Sequence, residues 1–267
     1  MQTINSTDAL TPADPNALAL LINQLSLPSL PAAVIDFLAL QCSFDTALVT
    51  IYKGGFKPIL LYPTDPNEIS STLTGYLNTA YVLDPLYNAI ESGCSPGVLR
   101  LEQIAPDSFH LSEYYLTCYK EFDLEDEINL LVALDTDTNC AITLGRRSSL
   151  GSITRAEMKR LNSLFPVIAA LVCQFWSLNG ANVLREGASD TRVKHALKSF
   201  GLGLLTRREQ EISALILEGN SSKAIAEQLN ISPGTVKVHR KNIHAKLNTS
   251  TQSEMFNLFL EHLGNFA

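Results

Sequence analysis

The sequence predicts two domains of different fold class, an α/β domain followed by a smaller all-α domain. A chain of 267 residues is long enough for two hydrophobic cores. Residues 1–180 alternate short apolar strands with helices, whereas residues 204–267 show only helical periodicity. The charge divides similarly, since nine Lys/Arg and nineteen Asp/Glu in 1–180 give −10, and eleven and eight in 181–267 give +3. We therefore predict domains at 1–180 and 204–267, joined by a linker at 181–203.

In the first domain, apolar alternation and turn residues mark the strands, and helical spacing marks the segments between them. A hairpin turns at Lys53-Gly54-Gly55, and a capping box of Thr154 and Glu157 opens a long closing helix. This order predicts a five-stranded antiparallel sheet between helices, an α/β/α sandwich similar to GAF or PAS domains. The predicted strands are 46–52, 56–62, a middle strand at 97–102, 128–135 and 140–147; the predicted helices are 16–25, 31–40, 68–81, one ending near Gly93, 111–122 and 154–178.

The sequence predicts four helices in the second domain, three of which begin at recognisable N-capping residues. A short helix at 222–229 follows the stop at Gly219, and the next helix is basic. Two helices joined by a tight turn, the second basic, are typical of a helix-turn-helix DNA reader. The start signals of the other three helices are Thr206 with Glu209, Ser232 with Pro233, and Thr251 with Glu254.

The third of these helices carries the candidate DNA-binding residues. Its apolar residues repeat at helical spacing and predict a buried stripe. From 231 to 247 there are four Lys/Arg and no Asp or Glu, a balance of +4. Such a run in isolation is most simply a solvated face, but its place in a helix-turn-helix favours DNA binding. The stripe is Val236, Ile243 and Leu247, and the residues on the other sides are Lys237, Val238, Arg240, Lys241, His244 and Lys246.

The segment resembles the LuxR-type (GerE-type) DNA-binding domain of bacterial transcription regulators. The resemblance implies that the third helix lies in the major groove, with Lys237, Val238 and Lys241 at base edges. It also implies phosphate contacts from Lys223, Thr235 and His239. The matching residues are LTRRE at 205–209, Glu211-Ile212, Gly219, Ser221, Lys223, Ile225-Ala226, Leu229, Ile231-Ser232, Thr235 to His239 and Lys246-Leu247; the departures are Ala224, where an acidic residue is common, and Gln252, where Arg is common.

The order of elements in the first domain is also similar to the signal-binding domain of acyl-homoserine-lactone receptors. Asp84-Pro85, after a helix with Tyr76 and Tyr81, resembles an Asp-Pro pair whose Asp holds the ligand's amide N–H in that group. Those receptors place tryptophans in the pocket, whereas the single tryptophan here is Trp176 on the closing helix. This difference argues against an acyl-homoserine lactone as the ligand.

A carboxylate among tyrosines suits an amine- or amide-bearing metabolite, through ion pairing and cation–π contact. Asp84 has a structural alternative, since it can cap the following helix with Pro85 at the first position. One residue can do both. The candidate ligand-binding residues are Asp84, Tyr52, Tyr62, Tyr76, Tyr81, Tyr87 and Tyr115, and Tyr114 belongs to the same candidate pocket.

Several function classes are not expected. The sequence has no run of about 18 apolar residues and no basic start followed by an apolar stretch, so we expect a cytoplasmic protein without a membrane span. Its five cysteines contain no CxxC pair, and no His/Cys/Glu cluster shows metal spacing. With no glycine-rich phosphate loop and no nucleophile elbow, we expect neither an enzyme nor a cofactor.

We expect a homodimer on double-stranded DNA, because one helix-turn-helix unit contacts too little DNA for specificity. The LuxR resemblance implies pairing through the fourth helix, and the long helix 154–178 offers a second face. Basic residues in the linker favour either a DNA backbone contact or simple solvation. One alternative stays open: the first domain regulates without a ligand, by dimerising or by binding a protein. The residues concerned are Phe256, Phe259 and Leu260 on the fourth helix, Leu161, Leu164, Ile168 and Leu171 on the long helix, and Arg192, Lys194 and Lys198 in the linker.

Overall fold

A computed structural model describes residues 15–54, 56–112, 114–186 and 199–264. Its strands are β1 Thr46–Lys53, β2 Ile59–Tyr62, β3 Gly97–Arg100, β4 Leu124–Ala133 and β5 Thr138–Arg147. They form one antiparallel sheet in the order β2-β1-β5-β4-β3, so the predicted five-stranded sheet is confirmed. The strand predicted in the middle of the chain, β3, lies at a sheet edge, and β4 begins earlier than predicted.

Six α-helices accompany the sheet in the described part of the first domain: α1 Pro15–Asn23, α2 Leu30–Ala39, α3 Ser71–Asn78, α4 Pro85–Glu91, α5 Leu101–Ile104 and α6 Arg155–Glu186. The helix predicted at 68–81 is divided, since α3 ends at Asn78 and a 3₁₀ turn follows at Ala80–Leu83. The segment predicted as helix at 111–122 consists of short 3₁₀ and π turns. Helix α6 continues beyond the predicted end, to Glu186.

Alternation along the strands gives the sheet two different faces. On β4, Ile128 and Leu130 join an apolar core with α1, α2 and α6. The residues that alternate with them, Glu127 and Asn129, point to the opposite face, where α3, α4 and the segment 101–122 lie. The sheet is therefore apolar towards α6 and partly polar towards the other helices, which completes the predicted α/β/α sandwich.

The apolar residues that we expected on a dimer face of α6 lie instead against the sheet. Leu161, Leu164, Ile168 and Leu171 are buried within the chain, so they cannot pair two copies. The apolar residues that α6 leaves exposed include Val167 and Leu178. By length and composition alone, Arg155–Arg185 would also be able to cross a membrane. Its contact with the sheet core is that of a core helix.

The second domain contains the four predicted helices: α7 Arg207–Leu217, α8 Ser222–Gln228, α9 Pro233–Leu247 and α10 Gln252–Gly264. Ile212, Ile225, Val236 and Ile243, one or two from each of the first three helices, are fully buried. They form a small apolar core with α10. The all-α helix-turn-helix domain is therefore confirmed.

The aromatic residues of α10 belong to that core rather than to a dimer surface. Phe256 and Phe259 are buried, and Phe259 meets Phe200 edge to face with ring centroids 5.6 Å apart. Leu260 is half-buried against the same core. Phe256 and Phe259, which we expected on a dimer surface, are therefore core residues of the chain, and Phe200, which precedes the domain, supplies an additional partner.

The linker residues for which we expected a DNA backbone contact or simple solvation, Arg192, Lys194 and Lys198, lie outside the described residues. The described ends of the linker are the last turn of α6 and residues 199–203.

One buried carboxylate joins the first and third helices of the second domain. Glu209 and Thr206 form the predicted capping box at the start of α7. The Glu209 Oε2 atom also accepts a hydrogen bond from Lys246 Nζ at 2.6 Å, near the end of α9. Hydrogen bonds from Lys246 and Thr206 lower the pKa of Glu209 to about 2. The ionised carboxylate of Glu209 therefore holds α9 against α7.

We predict that Glu209→Gln lowers the free energy of unfolding by about 1 kcal/mol at pH 7, since Gln preserves the cap but loses the ionic hydrogen bond to Lys246. A lowered pKa stabilises the fold above about pH 4.5, and this contribution disappears as the pH falls towards 2. Urea unfolding of the full chain, followed by circular dichroism, should therefore separate wild type from variant at pH 7 and bring them together near pH 2. The matched control is Glu211→Gln, which alters an exposed pair with Arg208. An equal loss in both variants, or a difference independent of pH, would contradict this assignment.

Candidate functional site

The third helix of the second domain presents an exposed face with both apolar and cationic groups. Ser232 caps α9 by accepting a hydrogen bond from Thr235 N at 3.0 Å, with Pro233 at the first helical position. Because Val236 is buried beneath it, the first two turns expose Lys237 and Val238, the latter 59% accessible. Lys241, one turn later, is also exposed.

Three other predicted DNA-binding residues are half-buried. Arg240 donates to Gln252 Oε1 at 3.3 Å, and burial lowers its pKa. His239 Nδ1 has no hydrogen-bond partner among the described residues. His244 Nδ1 lies 2.9 Å from Thr249 Oγ1, and burial lowers the pKa of this imidazole too. These side chains are held at the flank of α9, whereas Lys237, Val238 and Lys241 are free to contact a partner.

Gln252 shows how the domain accommodates a departure from the LuxR pattern. Its amide nitrogen donates to Ile216 O at 3.1 Å, and its amide oxygen accepts from Arg240. The side chain therefore connects α7, α9 and α10. Because both ends of the amide are engaged within the domain, Gln252 has a structural role in this chain.

The start of α8 carries two exposed or half-exposed groups with different surroundings. Lys223 is exposed. Ser221, which caps α8, is in contact with Asp107 of the first domain. The Asp107 carboxylate accepts from Ser221 N at 3.1 Å and from Ser221 Oγ at 2.5 Å, and these bonds lower the pKa of Asp107. The neighbouring Gly219 is close to the same segment, since a Cβ there would lie 3.0 Å from Ser112 Cβ. The two domains thus meet at the start of the helix-turn-helix.

The first domain contains a cavity of about 310 Å³ between the polar face of the sheet and the helices that cover it. Tyr52 on β1, Glu127 on β4 and Thr143 on β5 form its floor. Tyr76 of α3 and Asp84 close it from the helical side. A volume of this size is enough for a small organic molecule.

A chain of hydrogen bonds runs along one wall of the cavity. The Tyr76 hydroxyl donates to Asp84 Oδ2 at 2.7 Å, and the Tyr52 hydroxyl lies 2.7 Å from the Tyr76 hydroxyl. Asp84 Oδ1 accepts from Leu86 N at 2.8 Å, which caps α4 with Pro85 at the first position. Burial raises the pKa of Asp84, opposed by hydrogen bonds from Tyr76, Leu86 and Tyr114. Asp84 therefore caps α4, as the structural alternative expected. Asp84 also lines the cavity, and its contact with a ligand stays a prediction.

A second chain runs across the floor. Thr143 Oγ1 donates to Asn129 Oδ1 at 2.6 Å, and Asn129 Nδ2 donates to Glu127 Oε1 at 2.9 Å. Gly145 lies opposite Glu127 in the strand register. A Cβ at this glycine would lie 2.4 Å from Thr46 Oγ1 of β1 and 2.7 Å from Leu124 Cδ2 of β4, so a larger residue would displace these two side chains beside the cavity.

The predicted ligand-binding residues are divided between the cavity and its supporting shell. Tyr52, Tyr62, Tyr76 and Asp84 line the cavity. Three others do not. Tyr81 and Tyr87 meet edge to face with centroids 5.1 Å apart, and Tyr115 stacks on Tyr119 beside a neighbouring cavity of about 400 Å³.

Several lining residues were missed from the sequence, namely Tyr119, Phe122, Glu127 and Thr143, whereas Tyr114 was expected in the pocket and lines it. Glu127 was overlooked because the strand was predicted to begin at 128. Extending the alternation back from Ile128 would have placed Glu127 beside Asn129 on the polar face. Trp176 lies on α6 and packs against the opposite face of the sheet, so it has no part in the cavity.

Comparison with known proteins agrees with both domains. Residues 203–259 match the sequence model of the family described as bacterial regulatory proteins, luxR family. A putative HTH-type transcriptional regulator from the exeN 3′ region of Aeromonas salmonicida is 33% identical over 186 residues, which is 67% of this chain and 94% of that protein. The chain belongs to the luxR family. The family is one of transcriptional regulators, which confirms that this luxR-family chain is not an enzyme.

Two further similar proteins each match only part of this chain. The transcriptional regulatory protein MctR of Rhizobium johnstonii is 43% identical over 83 residues, 31% of this chain and 38% of MctR. The crystal structure of the VqsR LBD domain from Pseudomonas aeruginosa matches with a TM-score of 0.56 and 21% identity, over 62% of this chain and 96% of that structure. At this identity the match shows a shared fold and nothing more specific.

Proposed function

We propose that this luxR-family regulator binds specific sequences of double-stranded DNA through α9, under the control of a small molecule held in the cavity of the first domain. The exposed set Lys237, Val238 and Lys241 carries the proposal, because a capped helix-turn-helix holds these side chains outward while Val236 and Ile243 anchor the helix from below. Both functions suit a protein of the cytoplasm, where DNA and metabolites meet.

The chemistry of the exposed residues fits the two kinds of DNA contact. A lysine ammonium donates to guanine O6 and N7, and a valine methyl packs against the thymine methyl, so Lys237, Lys241 and Val238 suit base edges. Lys223 and Thr235 suit phosphate oxygens, with His239, Arg240 and His244 at the flank. Phosphate contacts supply affinity that falls with salt, and base contacts supply discrimination.

A cavity favours ligand control over the alternative in which the first domain only dimerises or binds a protein. Its polar groups converge from different elements, as in sites built for a small molecule. A homodimer is part of the proposal, because two half-sites give the specificity that one unit lacks. Support for a dimer surface now comes from the exposed Val167 and Leu178 on α6, since the residues first expected there are in the cores.

The contact between Asp107 and Ser221 supports a route for control. It places a carboxylate two residues before Lys223, at the part of α8 that we assign to the DNA backbone. A negative charge at this position opposes an approaching phosphate. The described arrangement therefore corresponds to a state with weakened DNA binding, and a signal that moves the segment around Asp107 would strengthen it.

We predict that single alanine substitutions separate base reading from phosphate binding. Lys237→Ala and Lys241→Ala should lower the ratio of specific to random-duplex affinity by roughly tenfold, because each lost base contact is worth about 1–3 kcal/mol. Lys223→Ala should weaken both duplexes alike and reduce the salt dependence of binding by about one phosphate contact. Fluorescence anisotropy at several salt concentrations, with an operator obtained by in vitro selection, provides the measurement.

Lys159→Ala is the control for these variants, since Lys159 is an exposed lysine on α6. It should leave both affinities unchanged. The assignment fails if all three test variants lose affinity equally on specific and random DNA.

We also predict that Asp107→Ala strengthens DNA binding, by about three- to tenfold, because it removes a charge that competes with phosphate. Anisotropy on the same operator would detect the change. Asp65→Ala removes an exposed carboxylate elsewhere on the first domain and serves as the matched control. Equal affinities for wild type and Asp107→Ala would rule out this route of control.

A further inference from the structure

The charged side chains that line the cavity of the first domain in the described chain are all carboxylates. Among its lining residues in the described chain are four carboxylates, Asp45, Glu68, Asp84 and Glu127, and no Lys, Arg or His. Arg100, beside the neighbouring cavity, is engaged by Asp126 at 2.9 Å and by Glu102 at 2.6 Å. The described lining residues therefore include no cation that could pair with these carboxylates.

The Tyr52–Tyr76–Asp84 chain presents an acceptor to the cavity. Because the Tyr76 proton is directed to Asp84, the 2.7 Å contact between the two tyrosine hydroxyls requires Tyr52 to donate. The Tyr52 oxygen then has only lone pairs to offer. Asp84 already accepts hydrogen bonds from Leu86, Tyr76 and Tyr114. The Tyr52 oxygen can therefore accept a hydrogen bond from a ligand, whereas the Asp84 carboxylate is already occupied by protein donors.

Glu127 differs from Asp84 in being incompletely satisfied. It accepts one hydrogen bond, from Asn129, and the described residues supply no donor to its second oxygen. The titratable groups that act on it are Tyr52 of β1, Asp84 before α4, Tyr119 of the covering segment and Asp126 of its own strand. None of these is a cation. Burial, with the nearby Asp84, raises the pKa of Glu127 to about 8.

The rest of the lining attracts cations as well. Aromatic rings carry negative charge on their faces and bind ammonium groups by cation–π attraction. Six aromatic rings line the cavity, those of Tyr52, Tyr62, Tyr76, Tyr114, Tyr119 and Phe122. Leu48, Leu73 and Leu124 add apolar surface for the remainder of a ligand.

We propose that the cavity binds a small organic cation, a protonated amine with an apolar body, and that Glu127 is the carboxylate that pairs with its ammonium group. This rests on the proposed function, because it names the class of the molecule that controls DNA binding. A neutral amide would satisfy the Tyr52 oxygen but would form no ion pair with Glu127, and an anion would meet carboxylates without a cation among the described lining residues. The partner carboxylate is thus Glu127, while Asp84 orients the tyrosines beside it.

Proton linkage gives this proposal a pH signature. In the empty cavity, Glu127 is protonated below about pH 8. A cationic amine requires the ionised carboxylate, so binding releases one proton from Glu127. Alkylamines remain protonated throughout this range. Affinity should therefore rise by about 50-fold between pH 6 and pH 8, following the ionised fraction of Glu127.

The test uses isothermal titration calorimetry on the full chain with octylamine and phenethylamine, each compared with the neutral amide of the same skeleton, octanamide and phenylacetamide. At least one amine should bind, at least tenfold more tightly than its amide, with the stated pH dependence. Glu127→Gln should weaken amine binding at least tenfold and remove the pH dependence. Glu121→Gln, which alters an exposed carboxylate outside the cavity lining, should bind as wild type does.

The proposal is overturned if neither amine binds, if an amide binds as tightly as its amine, or if a folded Glu127→Gln retains wild-type affinity. The thermal unfolding curve of Glu127→Gln without ligand shows whether the variant is folded. If it is not, the pH dependence of wild type and the amine–amide ratio decide alone. Failure of this proposal and failure of the proposed function give different results. If an amide binds as tightly as its amine and changes DNA affinity, the cavity controls DNA binding but is not specific for a cation. If an amine binds as predicted without changing DNA affinity, the cavity is a cation site but does not control DNA binding.

Discussion

The alternation of side chains along β4 and β5 is the constraint on which the first domain depends. Successive residues of a strand face opposite sides of the sheet, so the ten residues of each strand build both an apolar face for α6 and a polar face for the cavity. A shift of one residue in the register between these strands would exchange the two faces. Ile128 and Leu130 would then enter the cavity, and Glu127 would meet the apolar surface of α6.

Carboxylates that are buried or half-buried organise the molecule at three places, in a different way at each. Glu209 is fully paired and fixes α9 within its domain. Asp84 is satisfied by a backbone amide and two tyrosines, and it orients the wall of the cavity. Glu127 is only partly satisfied, which is the state expected of a group that awaits a partner. The degree of satisfaction, rather than burial alone, distinguishes a structural carboxylate from a binding one.

How far the sequence predicts this structure depends on whether the signal is local. The starts of α7 and α9 follow from Thr206 and Ser232, because a cap and the backbone N–H group that donates to it lie within four residues of each other. Glu127 was missed because Glu125, Asp126 and Glu127 in succession suggest a loop. Asp126 is satisfied by Arg100 and by Ile153 N, both distant in the chain. Likewise, the contact between Phe200 and Phe259 joins residues that are distant in the sequence. A local pattern therefore cannot predict that Phe259 is a core residue and not an interface residue.

The cavity controls DNA binding only if ligand binding in the first domain and DNA binding by α9 are linked by a coupling free energy. The segment that carries Asp107 lines the neighbouring cavity, which shares Tyr119, Leu124 and Glu127 with the first one, so a physical connection is present. Thermodynamic linkage requires the ligand to change DNA affinity by the same factor by which DNA changes ligand affinity. The most direct measurement is a titration of wild type with a cavity-binding amine, with and without operator DNA, together with the reverse titration. We predict equal factors that differ from one; a factor of one in both titrations would contradict control of DNA binding by the cavity.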